Sequence, residues 1–312
     1  MHLEGIKKEL CSLSMKNSNK ALLFVGITIL SWSTVATAFK IALQEFSHYE
    51  LLLIATTTAL MVFALVISFQ KKWHLLKELS KRQIKIFALT GFLNPAFYYL
   101  VLFKAYDLLP AQIAQPINYF WPILLTIMLA IFTQQKIQGI KYVGMGLSFL
   151  GVIFISLGPK SLFAETISFS GILLAFFSAF IWASFWILNK KNQQTDNTVN
   201  LFMSFFFGLS YLIIGSFFVE INFNSVKGML TSVYSGLFEM AVPFIFFGLA
   251  LRKTENPVLI NQLCYLSPFL SLFFIHFILG EKIYFTTVLG LLLIISGVIF
   301  NEFFGKRKPA TT

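Results

Sequence analysis

The chain has 312 residues, 57% of them hydrophobic and only 12% charged, with 38 Phe and a net charge of +11. A soluble domain usually carries about 25% charged residues, so this composition excludes a water-soluble enzyme of ordinary design. The basic residues lie between long apolar runs rather than along one stripe, which reads as membrane topology and not as a nucleic-acid surface.

In chain order, ten apolar segments are predicted as helices: 21 to 42, 50 to 69, 84 to 106, 110 to 133, 139 to 158, 168 to 189, 199 to 219, 230 to 251, 257 to 279 and 283 to 303. Each can cross about 30 Å of hydrocarbon at a rise of about 1.5 Å per residue. Membrane strands would need polar alternation, which is absent. The expected fold class is therefore all-α integral membrane. Lysines and Ala36-Thr37-Ala38 give the first segment some likeness to a cleaved signal. The spacing from Trp32 to Lys40, repeated in mid-chain, predicts a retained helix instead.

Counting Lys and Arg loop by loop gives an orientation. A cytoplasmic N-terminus places 19 of the 24 inside: Lys7, Lys8, Lys16 and Lys20, then Lys71, Lys72, Lys77, Lys81, Arg82 and Lys85, then Lys136, Lys141, Lys190, Lys191, Arg252 and Lys253, and last Lys306, Arg307 and Lys308. Lys40, Lys104, Lys160, Lys227 and Lys282 remain outside. This asymmetry predicts a multi-pass protein of the cell (inner) membrane with both termini cytoplasmic.

The sequence also repeats itself. Trp32 and Lys40 recur as Trp182 and Lys190, 150 residues on. Gly144, Gly151-Val152-Ile153-Phe154 and Lys136-Ile137 recur as Gly290, Gly297-Val298-Ile299-Phe300 and Lys282-Ile283, displaced by 146, as is Pro122 to Pro268. Pro110 and Pro257 fall one residue away from that offset. A duplication of five helices follows, and because five is odd the second half must enter from the opposite side. The predicted organisation is a tail over 1–20, a first five-helix repeat over 21–158, a second, inverted one over 168–303, and a tail over 304–312. Inverted repeats are the signature of secondary transporters, with the substrate site near the midplane.

Few polar groups lie deep in the segments. Glu239 falls near a midplane, where an ionised carboxylate needs water, a partner or a cation; it reads as a ligand for a substrate ammonium, a proton-coupling site or a structural carboxyl. Asn94 is its repeat equivalent, at an offset of 145, and Pro95 and Pro243 follow at similar places. These prolines, like Pro122 and Pro268, are candidate joints or static bends. Asn118, Tyr119 and Trp121, with Gln115 a turn earlier, turn polar and aromatic edges inward. Trp182 lies deep in its own segment, and Asn261, Gln262 and Tyr265 answer the fourth-segment set on the ninth. Such a pocket suits a zwitterion with a bulky apolar side chain, its ammonium attracted to indole faces. Lys40 and Lys190 end the first and sixth segments, either snorkelling to the interface or gating. The paired glycines imply close helix packing. The isolated His2, His48, His74 and His276, with Cys11 and Cys264, make no metal site or disulfide framework, and no cofactor is expected. The 38 Phe say nothing of cargo, because most positions in a bundle face lipid or neighbouring helices.

These residues resemble the drug/metabolite transporter superfamily, in particular its EamA-domain proteins, over about residues 20 to 303. Asn118-Tyr119-Phe120-Trp121-Pro122 and the run from Ala179-Phe180-Ile181-Trp182-Ala183-Ser184 to Asn189-Lys190 resemble YddG-type aromatic amino-acid exporters more closely. The resemblance implies export through a central cavity lined mainly by the third, fourth, eighth and ninth helices, with the first and sixth contributing. Matching positions are Trp32-Ser33-Thr34, Tyr98, Asn118, Tyr119, Trp121, Pro122 and Trp182. One position departs: Tyr99 stands where an acidic residue would follow the tyrosine of the third helix.

The function expected is export of small amphipathic metabolites, foremost amino acids and among them aromatic ones, by alternating access. The partners are a small-molecule substrate, the lipid bilayer and a coupled proton, in a monomer or weak dimer without nucleic acid. No Gly-rich nucleotide-binding motif appears, so transport is secondary. Rival readings are uptake or exchange of a nucleotide-derived or drug-like metabolite, a non-transporting scaffold, and a membrane-embedded enzyme. The last would need paired acids or a His-Glu-x-x-His run, so no enzyme is expected.

Overall fold

The computed structural model describes residues 2–133, 139–157, 167–189, 195–254, 260 and 263–304. Lys136, Lys160, Lys190, Lys191, Pro257, Asn261, Gln262 and the tail residues Lys306, Arg307 and Lys308 lie outside the described residues.

The described residues form helices joined by short connections: α1 (His2–Leu43), α2 (His48–Phe69), α3 (Lys81–Gly91), α4 (Tyr98–Leu108), α5 (Ala111–Asn118), α6 (Trp121–Thr133), α7 (Gly139–Leu157), α8 (Phe169–Asn189), α9 (Asn197–Gly215), α10 (Val226–Ser235), α11 (Val242–Lys253), α12 (Leu266–Leu279) and α13 (Phe285–Phe304). Six stretches are long and apolar enough to cross a membrane, namely Asn17–Leu43, His48–Phe69, Lys81–Leu108, Phe169–Leu188, Asn197–Phe218 and Val226–Lys253. Tyr142–Ile155, Leu266–Leu279 and Phe285–Asn301 are shorter apolar helices. Helices satisfy their backbone polar groups internally, as a hydrocarbon surround requires. α1 begins at His2, so most of the predicted N-terminal tail carries that helix on.

Among the described residues four of the predicted helices are interrupted rather than straight, two of them by π-helical turns. A π-helical turn, Phe92–Phe97, separates α3 from α4, and Asn94 within it leaves helical backbone angles (φ −148°, ψ 118°). A second π-helical turn, Gly236–Ala241, separates α10 from α11. The prolines explain the placement: each lacks an N–H and crowds the preceding turn. Pro95 lies inside the first π turn, and Pro243 is the second residue after the other. Pro122 and Pro268 occupy early positions of α6 and α12, just after the breaks at Tyr119-Phe120 and Cys264-Tyr265. All four candidate joints therefore stand at helix interruptions.

α7 and α13 approach most closely. A Cβ at Gly144 would stand 2.5 Å from the Gly297 carbonyl oxygen, and one at Gly151 equally near that of Gly290. The Ser148 hydroxyl donates to the Ile294 carbonyl (3.0 Å) between these contacts. Shifting by 146 residues turns Gly144 into Gly290 and Gly151 into Gly297, so each glycine contact maps onto the other.

Polar contacts gather at the two ends of the bundle. At one, Lys72 pairs with Asp196 (2.8 Å) and the Gln83 amide donates to Thr195 (3.0 Å). Burial raises the Asp196 pKa, but Lys72 and the Thr198 and Val199 N–H groups it caps outweigh that and hold it below the usual value. At the other end, Lys227 pairs with Glu45 (3.2 Å), which also accepts from Ser225, and Glu50 accepts from the Asn222 N–H while completing a capping box with Ser47. The Ser225 and Lys227 contacts lower the Glu45 pKa. Among the described residues, seventeen Phe are exposed, including Phe69, Phe217 and Phe218, as a lipid-facing surface requires.

Candidate functional site

A cavity of about 250 Å³ lies between α1, α4, α5, α6, α8, α11 and the residues leading into α12. These belong to the six segments that the resemblance names. Helical spacing aims their side chains inward from each wall. Trp32, Val35 and Phe39 come from α1, Tyr98, Leu102 and Tyr106 from α4, and Trp182 and Trp186 from α8, each set three or four residues apart. α5 and the break after it supply Gln115, Asn118 and Tyr119, and α6 adds Trp121 and Leu125. Glu239 enters from the second π turn, Phe247 and Leu251 from α11, and Cys264 and Tyr265 from the break before α12.

Of the residues expected to bind substrate, Trp32, Tyr98, Asn118, Tyr119, Trp121, Trp182, Glu239 and Tyr265 share this cavity. Asn94 does not line it. Its side chain is buried beside α9, and its amide makes no hydrogen bond among the described residues. The π turns thus separate the fates of the two repeat-equivalent residues: Glu239 reaches the cavity and Asn94 is sealed off.

A hydrogen-bond network fixes the polar wall. The buried Tyr99 hydroxyl donates to Glu239 Oε1 (3.1 Å), and the Trp32 indole N–H donates to the Glu239 carbonyl (3.2 Å). The Tyr98 hydroxyl donates to Asn118 Oδ1 (3.2 Å), whose amide donates to Ser178 (2.8 Å). Asn118 is thereby held between α4 and α8. The Tyr98 ring lies 4.7 Å from Trp182, which meets Trp186 edge-on at 6.0 Å. Tyr119 meets Tyr265 edge-on at 6.3 Å across the cavity. Among the described residues Glu239 has no cationic partner.

Sequence reading missed Phe39, Tyr106, Trp186 and Phe247 as wall residues, and Tyr99 as a support. A signal existed for some of them: Tyr106 lies two helical steps of four beyond Tyr98, and Trp186 one such step beyond Trp182. Among the described Phe, Phe39 and Phe247 are on the wall.

Beyond Tyr106 a crevice is lined by Lys40, Asp107, Gln112, Glu281 and Lys282. Lys40 makes no ion pair among the described residues. Its ammonium donates to the carbonyls of Tyr106 (2.9 Å) and Leu109 (3.1 Å), closing the end of α4 as a basic group suits. The Glu281 carboxylate accepts from the N–H groups of Ala111 (3.2 Å) and Gln112 (3.4 Å) at the start of α5, where an anion complements the helix dipole. The Gln112 side chain donates to the Lys282 carbonyl (2.8 Å) and accepts from the Tyr284 N–H (3.2 Å). α1, the α4–α5 corner and the α12–α13 connection are tied together here.

The family model of EamA-like transporters matches residues 19–157 and again 169–303. An uncharacterized transporter of Clostridium kluyveri is 30% identical over 185 residues, 56% of this chain and 58% of that protein's length. The uncharacterized transporter YvbV of Bacillus subtilis is 25% identical over 72% of this chain and 74% of its own. An uncharacterized transporter of Archaeoglobus fulgidus is 24% identical over 89% of this chain and 97% of its own. A solved crystal structure superposes with a TM-score of 0.63 at 18% identity, covering 90% of this chain and 96% of that one, a likeness of fold. The chain belongs to the EamA-like transporter family, as a multi-pass membrane protein that handles a small-molecule substrate.

Proposed function

We propose that this transporter exports small amphipathic metabolites, foremost amino acids and among them aromatic ones, by alternating access through the cavity, in the manner of YddG-type exporters. The observation that carries the reading is an aromatic chamber with, among the described residues, a single carboxylate, Glu239, where several interrupted helices converge. Its polar groups orient a substrate while its rings hold an apolar side chain. Cargo derived from nucleotides would call for basic residues on the wall, and among the described residues the wall has none.

In this reading the chain crosses the cell membrane ten times, in two inverted five-helix repeats over 21–158 and 168–303, with the tails 1–20 and 304–312 cytoplasmic. The reciprocal contacts of α7 with α13 and the two π turns with their prolines support a pseudo-twofold relation. Pro95, Pro122, Pro243 and Pro268 serve as joints, and Glu239 is the group for a coupled proton.

Proteoliposomes loaded with labelled Phe, Trp, Thr or Met test this. Protein-dependent flux of at least one is expected, reduced about tenfold or more by Glu239→Gln or Trp121→Ala at equal folded protein. No flux of any amino acid overturns the amino-acid reading, and wild-type flux in both variants removes these residues from the site.

A further inference from the structure

Among the described residues the cavity wall holds one acid, Glu239, and no Lys, Arg or His. Four of the chain's five Trp, at 32, 121, 182 and 186, belong to it. An indole face attracts an ammonium group and repels an anion, because its π cloud is the negative pole of the ring quadrupole. The wall is therefore built for positive charge, on both its ionic and its aromatic side.

A zwitterion would bring a carboxylate that needs donors or a cation. Trp32 is committed to the Glu239 carbonyl, Tyr98 to Asn118 and the Asn118 amide to Ser178; the Trp186 indole N–H makes no hydrogen bond among the described residues, but it is a neutral donor and not a cation. Lys40, which lines the crevice past Tyr106, directs two of its donors to the Tyr106 and Leu109 carbonyls. A buried carboxylate left without a cation bears its full desolvation cost. A monocation of the same shape escapes that cost and neutralises Glu239. The 250 Å³ cavity has room for one ring with a short amine arm.

Resting on the transport reading above, we infer that the cavity selects carboxylate-free aromatic amines over the zwitterionic amino acids of the same side chain. Phenylalanine amide and phenethylamine are the matched monocations for phenylalanine, and hydrocinnamate is the matched anion.

Binding to the purified protein in lipid nanodiscs, read from the tryptophan fluorescence that the cavity itself supplies, tests the ranking. The two monocations are expected to bind about tenfold or more tightly than phenylalanine, with hydrocinnamate binding undetectably; that factor corresponds to about 1.4 kcal/mol. In Glu239→Gln the advantage of the monocations should shrink to less than about threefold. Phenylalanine binding as tightly as its amide, or measurable binding of hydrocinnamate, overturns the inference. The wild-type ranking decides by itself if the variant fails to fold. The expected ranking without vesicle flux of any amine or amino acid would sink the transport reading and leave the selectivity standing. Phenylalanine flux with the opposite ranking would do the reverse.

Discussion

Glu239 and Tyr99 stand 140 residues apart in sequence and share one hydrogen bond, 3.1 Å long, at the edge of the cavity. The tyrosine occupies the position where the family resemblance leads one to expect an acid, so the negative group is supplied from across the bundle and the tyrosine aims it. Tyr99 is fully buried and touches no cavity space, which makes it a positioning residue. Tyr99→Phe removes only the hydroxyl. A hydrogen bond to a charged acceptor is worth about 1.5–3 kcal/mol, so amine affinity should fall about tenfold while thermal stability changes little, measured by fluorescence titration beside a melting curve. Unchanged affinity would show that Glu239 needs no such support. Glu239 could be picked out of the sequence as a carboxylate in an apolar run. Its partner could not, since a tyrosine among many aromatics carries no mark of which group it faces. The same limit hid Phe39 and Tyr106, because wall, lipid-facing and core aromatics have identical composition.

Helices in this chain were legible as apolar runs of membrane length, and their interruptions were legible only in part. Pro95 and Pro243 announced a bend, yet proline alone does not say that the bend is a π turn, or that one turn exposes its polar residue to a cavity while the other buries it. That outcome depends on what packs outside the turn. Gly208 on α9 lets Pro95 come so close that a Cβ there would stand 2.5 Å from the ring, and the first π turn is thereby pressed against a neighbour. The glycines of α7 and α13 were readable as a small face, and the structure adds which glycine meets which. Overpacking a tight core costs about 1–3 kcal/mol. Gly151→Leu should lower the melting temperature and the yield of folded protein, whereas Gly146→Leu, on the same helix but with nothing within 4 Å of its Cβ position, should leave both unchanged. Size-exclusion recovery after heating reads the difference.

On the scale of the whole molecule, the ties at the Lys40 end combine residues from α1, α4, α5 and the approach to α13. Their sequence counterparts at an offset of 146 differ in one telling way: Glu281 aligns with Gln135, although Lys282 and Lys136 agree. The carboxylate that holds the start of α5 has no acidic equivalent in the other half. Glu281→Gln keeps the shape and removes the anion, weakening a dipole contact worth about 0.3–1 kcal/mol. Cys264 on the cavity wall is a native reporter. In a Cys11→Ser background, a membrane-impermeant maleimide applied at the Lys40 face should label Cys264 about two- to fivefold faster in Glu281→Gln than in the parent. Equal rates would show that this tie does not restrict passage. The loop-by-loop count of Lys and Arg gives only an expected orientation. It could not reveal such ties, because a hydrogen bond between connections 170 residues apart depends on how the bundle closes.

The meeting of α7 and α13 bears on mechanics. Two helices that touch backbone to backbone at two points, two turns apart, share a line and not a point. A crossing at one point could swivel. A shared line resists swivelling, and the Ser148 hydrogen bond between the contacts resists sliding. The pair forms one continuous contact with one member from each half of the chain, an arrangement expected to move as a unit. Compliance is then expected in the interrupted helices, of whose π turns the second lines the cavity through Glu239 while α7 and α13 stand outside it.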